Sequence, residues 1–179
     1  MKTARKKKKP APKKAARKTT KRAAKQVSPI PPGFTTVTPY LVCKGAGAAI
    51  AHYQKAFGAK VKVRMDGPDG NVAHGELLIG GAYIMLGEEQ PAMDAKAPPT
   101  VGGTPVHIFL YVTDVDRWFQ RAVAAGATAD MPPTNMFWGD RYAKVSDPFG
   151  HKWLMATHIE DVPGKEMARR AAEAMAQAG

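Results

Sequence analysis

The same order of predicted elements occurs twice in this chain, and that repeat constrains the fold more than any other feature. In each half a strand precedes an amphipathic helix, a Gly-Ala pair ends the helix, and three strands follow. Gly58-Ala59 ends the first helix and Gly126-Ala127 the second, 68 residues later. Two consecutive strand–helix–three-strand units indicate an internal duplication.

The first unit begins with a β-branched and aromatic strand over residues 35–42, in which Pro39 favours an edge or a bulge. A helix over 46–57 follows, and strands are predicted over 60–65, 72–79 and 82–86. The helix carries one apolar face, formed by Ala49, Ile50, Tyr53 and Phe57. The Pro- and Gly-rich stretch 87–104 predicts an exposed connection between two modules.

The second unit has a strand over 106–113, a helix over 115–125 and a short strand near 128–131. The helix turns Trp118, Phe119 and Val123 toward the core. Strands over 142–146 and 151–158 flank the turn Asp147-Pro148-Phe149-Gly150, where proline presets the second turn position. By alternation, His151 and Trp153 belong to the core side of the last strand.

Charge is distributed unevenly along the chain. Residues 1–26 hold 13 of the 27 Lys and Arg and no acid, which leaves 14 basic and 15 acidic residues elsewhere. Residues 1–33 are therefore predicted to be a disordered basic tail. Such a tail suits non-specific, salt-dependent contact with nucleic acid through residues 1–26, or it acts only as a solubilising segment.

Several classes of protein are disfavoured. Cys43 is the sole cysteine, so the chain has no intrachain disulfide and no cysteine cluster for zinc. No segment approaches the roughly 20 apolar residues that span a bilayer, and no apolar region follows the charged N-terminus as in a secretory signal. We expect a cytoplasmic protein without a membrane partner.

These patterns predict an α+β fold in which two tandem βαβββ modules form a curved mixed sheet around a cleft. The domain covers residues 34–162, with modules at 34–87 and 105–158, between the tail and a C-terminal helix within 163–179. The apolar side of that helix is mostly Ala and Met, so it either packs on a neighbouring subunit or frays.

The duplicated unit resembles the vicinal oxygen chelate superfamily, which includes glyoxalase I, bleomycin-resistance proteins and extradiol dioxygenases. Five motifs resemble its PhnB-like branch and cover about residues 34–162: Thr38-Pro39-Tyr40-Leu41, Ala49-Ile50 with Tyr53 and Ala56-Phe57-Gly58-Ala59, His74-Gly75-Glu76-Leu77, Trp138-Gly139-Asp140-Arg141-Tyr142, and Asp147 to His158. Because this fold hosts unrelated chemistries, the resemblance predicts fold more directly than activity.

The resemblance implies four metal-ligand positions in metal-dependent members, on the first and last strand of each module. Carried onto this sequence, they fall among Val37, Thr38 and Pro39, near Met85, on His107 and on Leu154. Only His107 is a strong ligand, so no metal and no other cofactor is expected. An improvised divalent-metal site would have to draw on His107, His158, His74, Glu76, Glu88 and Glu89.

His107 and His158 are also the candidates for acid–base catalysis, because histidine titrates near neutrality. His107 alternatively is a hydrogen-bonded cleft histidine. The cleft is predicted to be lined by Phe109, Tyr111, Met85, Leu154 and Tyr40.

At the rim of the cleft, Trp138 and Arg141 suit a stacked planar ligand. Otherwise Trp138 plugs the sheet edge, and Arg141 forms an ion pair with Asp140 or Asp147.

The preferred hypothesis is a metal-independent protein that sequesters a small, partly aromatic or oxygenated ligand in this cleft. The resemblance implies a homodimer whose clefts involve both chains. One alternative is a divalent-metal-dependent lyase, isomerase or dioxygenase acting on a small metabolite. Another is a dimeric platform that the basic tail tethers to nucleic acid.

Overall fold

A computed structural model describes residues 27–177. The predicted disorder of the basic tail falls mostly on residues 1–26, outside the described range. The first module comprises β1 Tyr40–Cys43, α1 Ala46–Phe57, β2 Lys60–Asp66, β3 Val72–Ile79 and β4 Ala82–Glu88. The connection contains one short α-helix, α2 Pro98–Val101. The second module comprises β5 His107–Tyr111, α3 Val115–Ala124, β6 Thr128–Asn135, β7 Asp140–Ser146 and β8 Lys152–His158. Helix α4, Gly164–Gln177, follows the second module.

The two modules form two four-stranded mixed sheets with the same topology. The strand order is β1-β4-β3-β2 in the first sheet and β5-β8-β7-β6 in the second. In each sheet the first strand pairs parallel with the last, and the other pairs are antiparallel. The predicted α+β architecture with a duplicated βαβββ unit is confirmed.

The helices behave as their sequence patterns indicate, with one exception. Helix α1 has the predicted bounds, buries all four predicted core residues and ends at Gly58 in the left-handed region (φ 65°). On α3, Val115 and Ala122 are buried and Trp118 and Phe119 pack against the core. The prediction for Val123 is wrong, since it is 38% exposed. It lies one position beyond the stripe that residues 115, 118, 119 and 122 form.

The helix-facing sides of both sheets share one hydrophobic core. The ring of Trp153 on β8 lies 4.5 Å from Phe57 and 5.3 Å from Tyr53, both on α1. Phe57 in turn stacks on Trp118 of α3 at 6.3 Å. Because the core occupies the helix side of each sheet, side chains on the opposite sides of both sheets point away from the core.

Several predicted segments differ from the structure: β5 is shorter than the predicted 106–113, and β4 and β7 are each two residues longer than predicted. Strand β1 is shorter than predicted because Pro39, which has no N–H to donate, stands at its start and pairing begins there. The connection 87–104 is partly buried, since Ala97 and Pro98 are buried and Glu89 accepts hydrogen bonds from Ala97 N and Thr100 Oγ1. Strand β6 is longer than predicted, as an irregular edge strand that includes two prolines.

Helix α4 has no buried residue and forms an ion pair with the segment that precedes it. The Arg170 guanidinium contacts both carboxylate oxygens of Glu160 at 2.8 Å. Among the helices within residues 27–177, none has the length and apolar character needed to cross a lipid bilayer.

Candidate functional site

The faces of the two sheets opposite the helices place corresponding residues in matching rows. In module 1 the row across the strands is Tyr40, Met85, Glu76. In module 2 it is Phe109, Leu154, Lys144. Because paired residues on neighbouring strands share a face, each row presents an aromatic ring, an apolar side chain and a charge. We call these surfaces the module 1 face (Tyr40, His74, Glu76, Met85) and the module 2 face (Phe109, Tyr111, Tyr142, Lys144, Leu154).

A cavity of about 480 Å³ lies between the edge strands β1 and β5 and is closed on one side by the connection. Of the predicted ligand-binding residues, the structure places Tyr40, His107 and Phe109 in its wall. Tyr40 is 51% exposed and Phe109 is 43% exposed, so both rings are open to a ligand. Lys96, Pro98 and Val101 of the connection complete the wall, which sequence reasoning did not foresee.

The other predicted cleft residues lie on the two faces beside this cavity. Met85 and Leu154 are half-buried in the centres of their rows. Tyr111 is mostly exposed, and its ring lies 5.0 Å from that of Phe109. The predicted set is therefore divided between the cavity and the faces.

A buried carboxylate that sequence reasoning missed organises the far end of the module 2 face. Asp140 is 3% exposed and accepts hydrogen bonds from Tyr111 Oη (3.1 Å), Trp138 Nε1 (3.1 Å) and His158 Nδ1 (2.8 Å). The hydrogen bond to Asp140 raises the pKa of Tyr111. Hydrogen bonds to Asp140 and Asp161 raise the pKa of His158. The available signal was strand pairing, because Asp140 pairs directly with His158 across β7 and β8.

Trp138 and Arg141 do not stand together at one rim. The Trp138 indole packs edge-on against Tyr142 with ring centres 5.9 Å apart, beside the Asp140 cluster. Arg141 donates to both carboxylate oxygens of Asp116 on α3, each at 2.6 Å, and to Asn135. Its guanidinium therefore lies on the helix side of β7, since adjacent strand residues point to opposite faces. The prediction that Arg141 forms an ion pair with Asp140 or Asp147 is therefore wrong.

His107 and His158 are far apart and do not form an acid–base pair. His107 pairs with Lys152 across β5 and β8, and His158 lies six residues further along β8. At about 3.3 Å per residue, the two positions are roughly 20 Å apart.

The residues at the family's ligand positions do not suit a metal ion. Met85 and Leu154 present a thioether and a hydrocarbon, which leaves His107 without a second strong donor. Elsewhere, Glu88 accepts from Gly45 N and Ala46 N at the start of α1, Glu89 holds the connection, and His74 contacts Glu76 at 3.4 Å. No group of three His, Cys, Asp or Glu side chains converges anywhere in residues 27–177.

A second buried carboxylate joins the two modules below the cavity. Asp147, 5% exposed, accepts from Tyr53 Oη of module 1 and Trp153 Nε1 of module 2, at 2.7 and 2.8 Å. His151 follows the same turn and is buried as predicted, yet it also lines the cavity, with Nε2 3.2 Å from the Val42 carbonyl oxygen.

Comparison with known proteins agrees with this architecture. Residues 34–155 match the model of the Glyoxalase/Bleomycin resistance protein/Dioxygenase superfamily. The chain belongs to this superfamily, as its duplicated βαβββ modules indicate.

Individual relatives are similar over the same region. Uncharacterized protein Rv0887c of Mycobacterium tuberculosis is 45% identical over 129 residues, covering 70% of this chain and 76% of its own. The crystal structure of TioX from Micromonospora sp. ML1 is 27% identical with a TM-score of 0.58, covering 70% and 99%. The fosfomycin resistance protein FosX from Listeria monocytogenes, complexed with Mn(II) and sulfate, is 17% identical with a TM-score of 0.55, covering 76% and 97%, a likeness of fold alone.

Proposed function

We propose that this protein, as a member of the PhnB-like branch, binds and sequesters a small, partly aromatic or oxygenated molecule without a metal ion. The ligand contacts Tyr40, His107 and Phe109 in the cavity, and Tyr111, Met85, Leu154 and Trp138 extend the contact surface over the faces. Arg141 is left out of this set because Asp116 already engages it.

The exposed aromatic rings in the wall of a concave cavity carry this proposal. A cavity of about 480 Å³ falls in the size range of small-molecule sites, which combine apolar walls with a few polar groups. Tyr40, Val106 and Phe109 are each more than 40% exposed although they adjoin the core, so a ligand would remove apolar surface from water.

A homodimer belongs to the same proposal. The faces opposite the helices carry Tyr40, Tyr111 and Met65, which pairs with His74, and each is more than half exposed, so a second copy would cover such surface. Light scattering coupled to size exclusion should then give about twice the 19.2 kDa chain mass. A monomer at micromolar concentration would contradict this part of the proposal.

A thermal-shift screen tests the binding function. Ligands that bind the native state raise the melting temperature by mass action, and we expect hits among small aromatic compounds that persist in chelator. Phe109→Ala should abolish the shift, whereas Val123→Ala, which shortens an equally apolar, partly exposed side chain on α3, should retain it.

Metal analysis separates binding from the enzymatic alternative, a divalent-metal-dependent lyase, isomerase or dioxygenase. Protein purified without chelator should contain far less than one divalent ion per chain. A stoichiometric ion whose loss on His107→Ala also abolishes the ligand shift would favour the enzyme instead.

The basic segment supports a second proposal, that the domain is held near nucleic acid. Thirteen Lys and Arg within residues 1–26, with no acid, would neutralise phosphates and release counterions. Affinity for a random duplex should fall steeply with salt in the full chain and be lost on deletion of residues 1–26. Equal affinity of the full chain and the deletion variant would contradict the proposal that residues 1–26 bind nucleic acid.

A further inference from the structure

The module 2 face combines a belt of aromatic rings with an ammonium group. Phe109 lies 5.0 Å from Tyr111 and 6.1 Å from Tyr142, and Tyr142 lies 5.9 Å from Trp138, measured between ring centres. Lys144 stands in the central row of this face, beside Leu154. A planar molecule that packs on the rings of Phe109 and Tyr142 could therefore also contact Lys144.

The position of Lys144 is set by the core behind it. Its strand neighbours Ala143 and Val145 are fully buried on the helix side, so the Lys144 side chain points to the outward face. It is half-buried, and within residues 27–177 no carboxylate lies in ion-pair distance of its ammonium group. An anion held against the neighbouring apolar side chains would interact with this ammonium group more strongly than it would in open water.

Two aspartates, Asp130 and Asp140, balance the two lysines Lys144 and Lys152 on or beside this face, and both aspartates are already engaged by other groups. Asp130 is already held by Lys152 Nζ at 3.2 Å and Ser146 Oγ at 2.6 Å. Asp140 is buried, and three donors from Tyr111, Trp138 and His158 compensate its charge. Lys152 on the same face is paired with Asp130, whereas no carboxylate of the described residues forms an ion pair with Lys144, so Lys144 can contact a ligand.

The fold itself does not require a cation at this position. The corresponding residue of module 1, in the row of Tyr40 and Met85, is Glu76. The two modules form the same sheet with a negative charge at this position in one and a positive charge in the other. The sheet therefore does not need the positive charge of Lys144.

We propose that the module 2 face selects a planar, aromatic or conjugated anion of the carboxylate type, with its ring on Phe109 and Tyr142 and its charge on Lys144. This inference rests on the proposed small-molecule binding and adds the ligand class. The rings contribute contact area and stacking, and the ammonium contributes a charge-assisted hydrogen bond.

Three naphthyl probes with the same ring and substituents of similar size test the charge preference by isothermal titration of the full chain: 1-naphthoate, 1-naphthamide and 1-naphthylmethylammonium. We expect naphthoate to bind at least about tenfold more tightly than the ammonium probe, the difference that one charge-assisted contact provides. Equal affinity for all three probes would overturn the anion preference and leave the small-molecule site intact. Binding of none of them would overturn both proposals.

Variants of Lys144 connect the preference to this residue. Lys144→Met keeps the length of the side chain and should weaken naphthoate about tenfold while naphthamide changes less than twofold. Lys144→Arg should restore naphthoate binding, and Lys62→Met, on the exposed edge strand β2, should leave all three affinities unchanged. The basic tail is identical in every variant, so its attraction for anions cancels. Unchanged naphthoate affinity in folded Lys144→Met would overturn the assignment.

Discussion

At the scale of single residues, the buried carboxylate of Asp140 makes His158 the most informative titrating group. Hydrogen bonds to Asp140 and then to Asp161 raise the pKa of His158 above its ordinary value. Burial has the opposite effect on His52 and His151, whose pKa values are lowered. An NMR titration of the imidazole resonances should therefore place His158 above about 6.5 and the two buried histidines below it.

The raised pKa of His158 predicts a pH-dependent contribution to stability. A group whose pKa is higher in the folded state stabilises the fold fully below its unfolded pKa, and this contribution is lost as pH rises through the folded value. The difference in unfolding free energy between the native chain and His158→Gln should therefore be largest at pH 6 and shrink toward pH 8.5. A difference that grows with pH would contradict the Asp140–His158 contact.

Cys43 should be chemically inert in the folded protein. Burial, and then the negative charge of Asp147, raises the pKa of its thiol to about 12. Only about one molecule in ten thousand would be a thiolate at pH 8, and the thiolate is the reactive form. A thiol reagent should label the native chain very slowly and label one group per chain in denaturant. Rapid native labelling would show that Cys43 is accessible.

Sequence reasoning identified exposed and buried residues better than it identified partners. Strand alternation correctly separated core Trp153 from the outward Leu154, because alternation is a local property of the backbone. It did not find that Arg141 pairs with Asp116, 25 residues earlier, since that contact exists only once α3 packs on β7.

At the scale of elements, Gly139 fixes the turn before β7 against the segment after β8. Its carbonyl oxygen accepts hydrogen bonds from Ile159 N and Glu160 N. A Cβ at this position would lie 2.1 Å from the Glu160 carbonyl oxygen, and φ is +95°. Neither the contact nor the dihedral angle allows a side chain.

Gly81 provides a matched control, with φ of +96° and no atom within 4 Å of an added Cβ. Gly81→Ala should cost only the left-handed backbone conformation, about 1–2 kcal/mol. Gly139→Ala should cost at least about 2 kcal/mol more, because the Glu160 backbone must also move. Urea midpoints at equal m-values measure the difference, and equal costs would contradict the close approach.

The predictability of each element follows from how local its signal is. Helix α1 was predicted residue for residue because its apolar stripe and its C-terminal glycine both lie within its own sequence. Strand β6 was underestimated because Pro132 and Pro133 argue against a strand, whereas an edge position and a bulge accommodate them.

At the scale of the whole molecule, Asp147 adds to the shared core one buried hydrogen bond between the modules, from Tyr53. Besides Tyr53 and Trp153, its carboxylate accepts from Phe149 N and His151 N, both at 2.9 Å. Asp147→Asn would turn an amide NH₂ toward two of these buried donors, with an expected cost of about 2–5 kcal/mol.

Tyr53→Phe is the matched variant, because it removes one donor and leaves the acceptor satisfied by the others. Its expected cost is about 1 kcal/mol. Chemical unfolding of both variants measures the contrast. Similar costs would contradict the expectation that Asp147→Asn leaves several buried donors unsatisfied, whereas Tyr53→Phe removes only the hydrogen bond between the modules.

The duplicated architecture was predictable from the sequence, but the cavity was only partly so. Repetition, periodicity and glycine positions specify the modules, whereas the cavity wall depends on how the connection folds back between β1 and β5. Lys96 and Pro98 lie in the cavity wall because Glu89 accepts hydrogen bonds from the connection beside them. No sequence pattern around Glu89 predicts these hydrogen bonds.

The core shared by α1, α3 and β8 has a further consequence for how the chain tolerates breakage. Asp94 ends an exposed 3₁₀ turn over Pro91–Met93 in the connection before α2, so a protease can reach the backbone there. The fragments on either side would remain associated after such a nick, because Phe57 of one half is buried against Trp153 of the other. Each half expressed alone would expose that surface. The two fragments should therefore reassemble by complementation and should not fold independently.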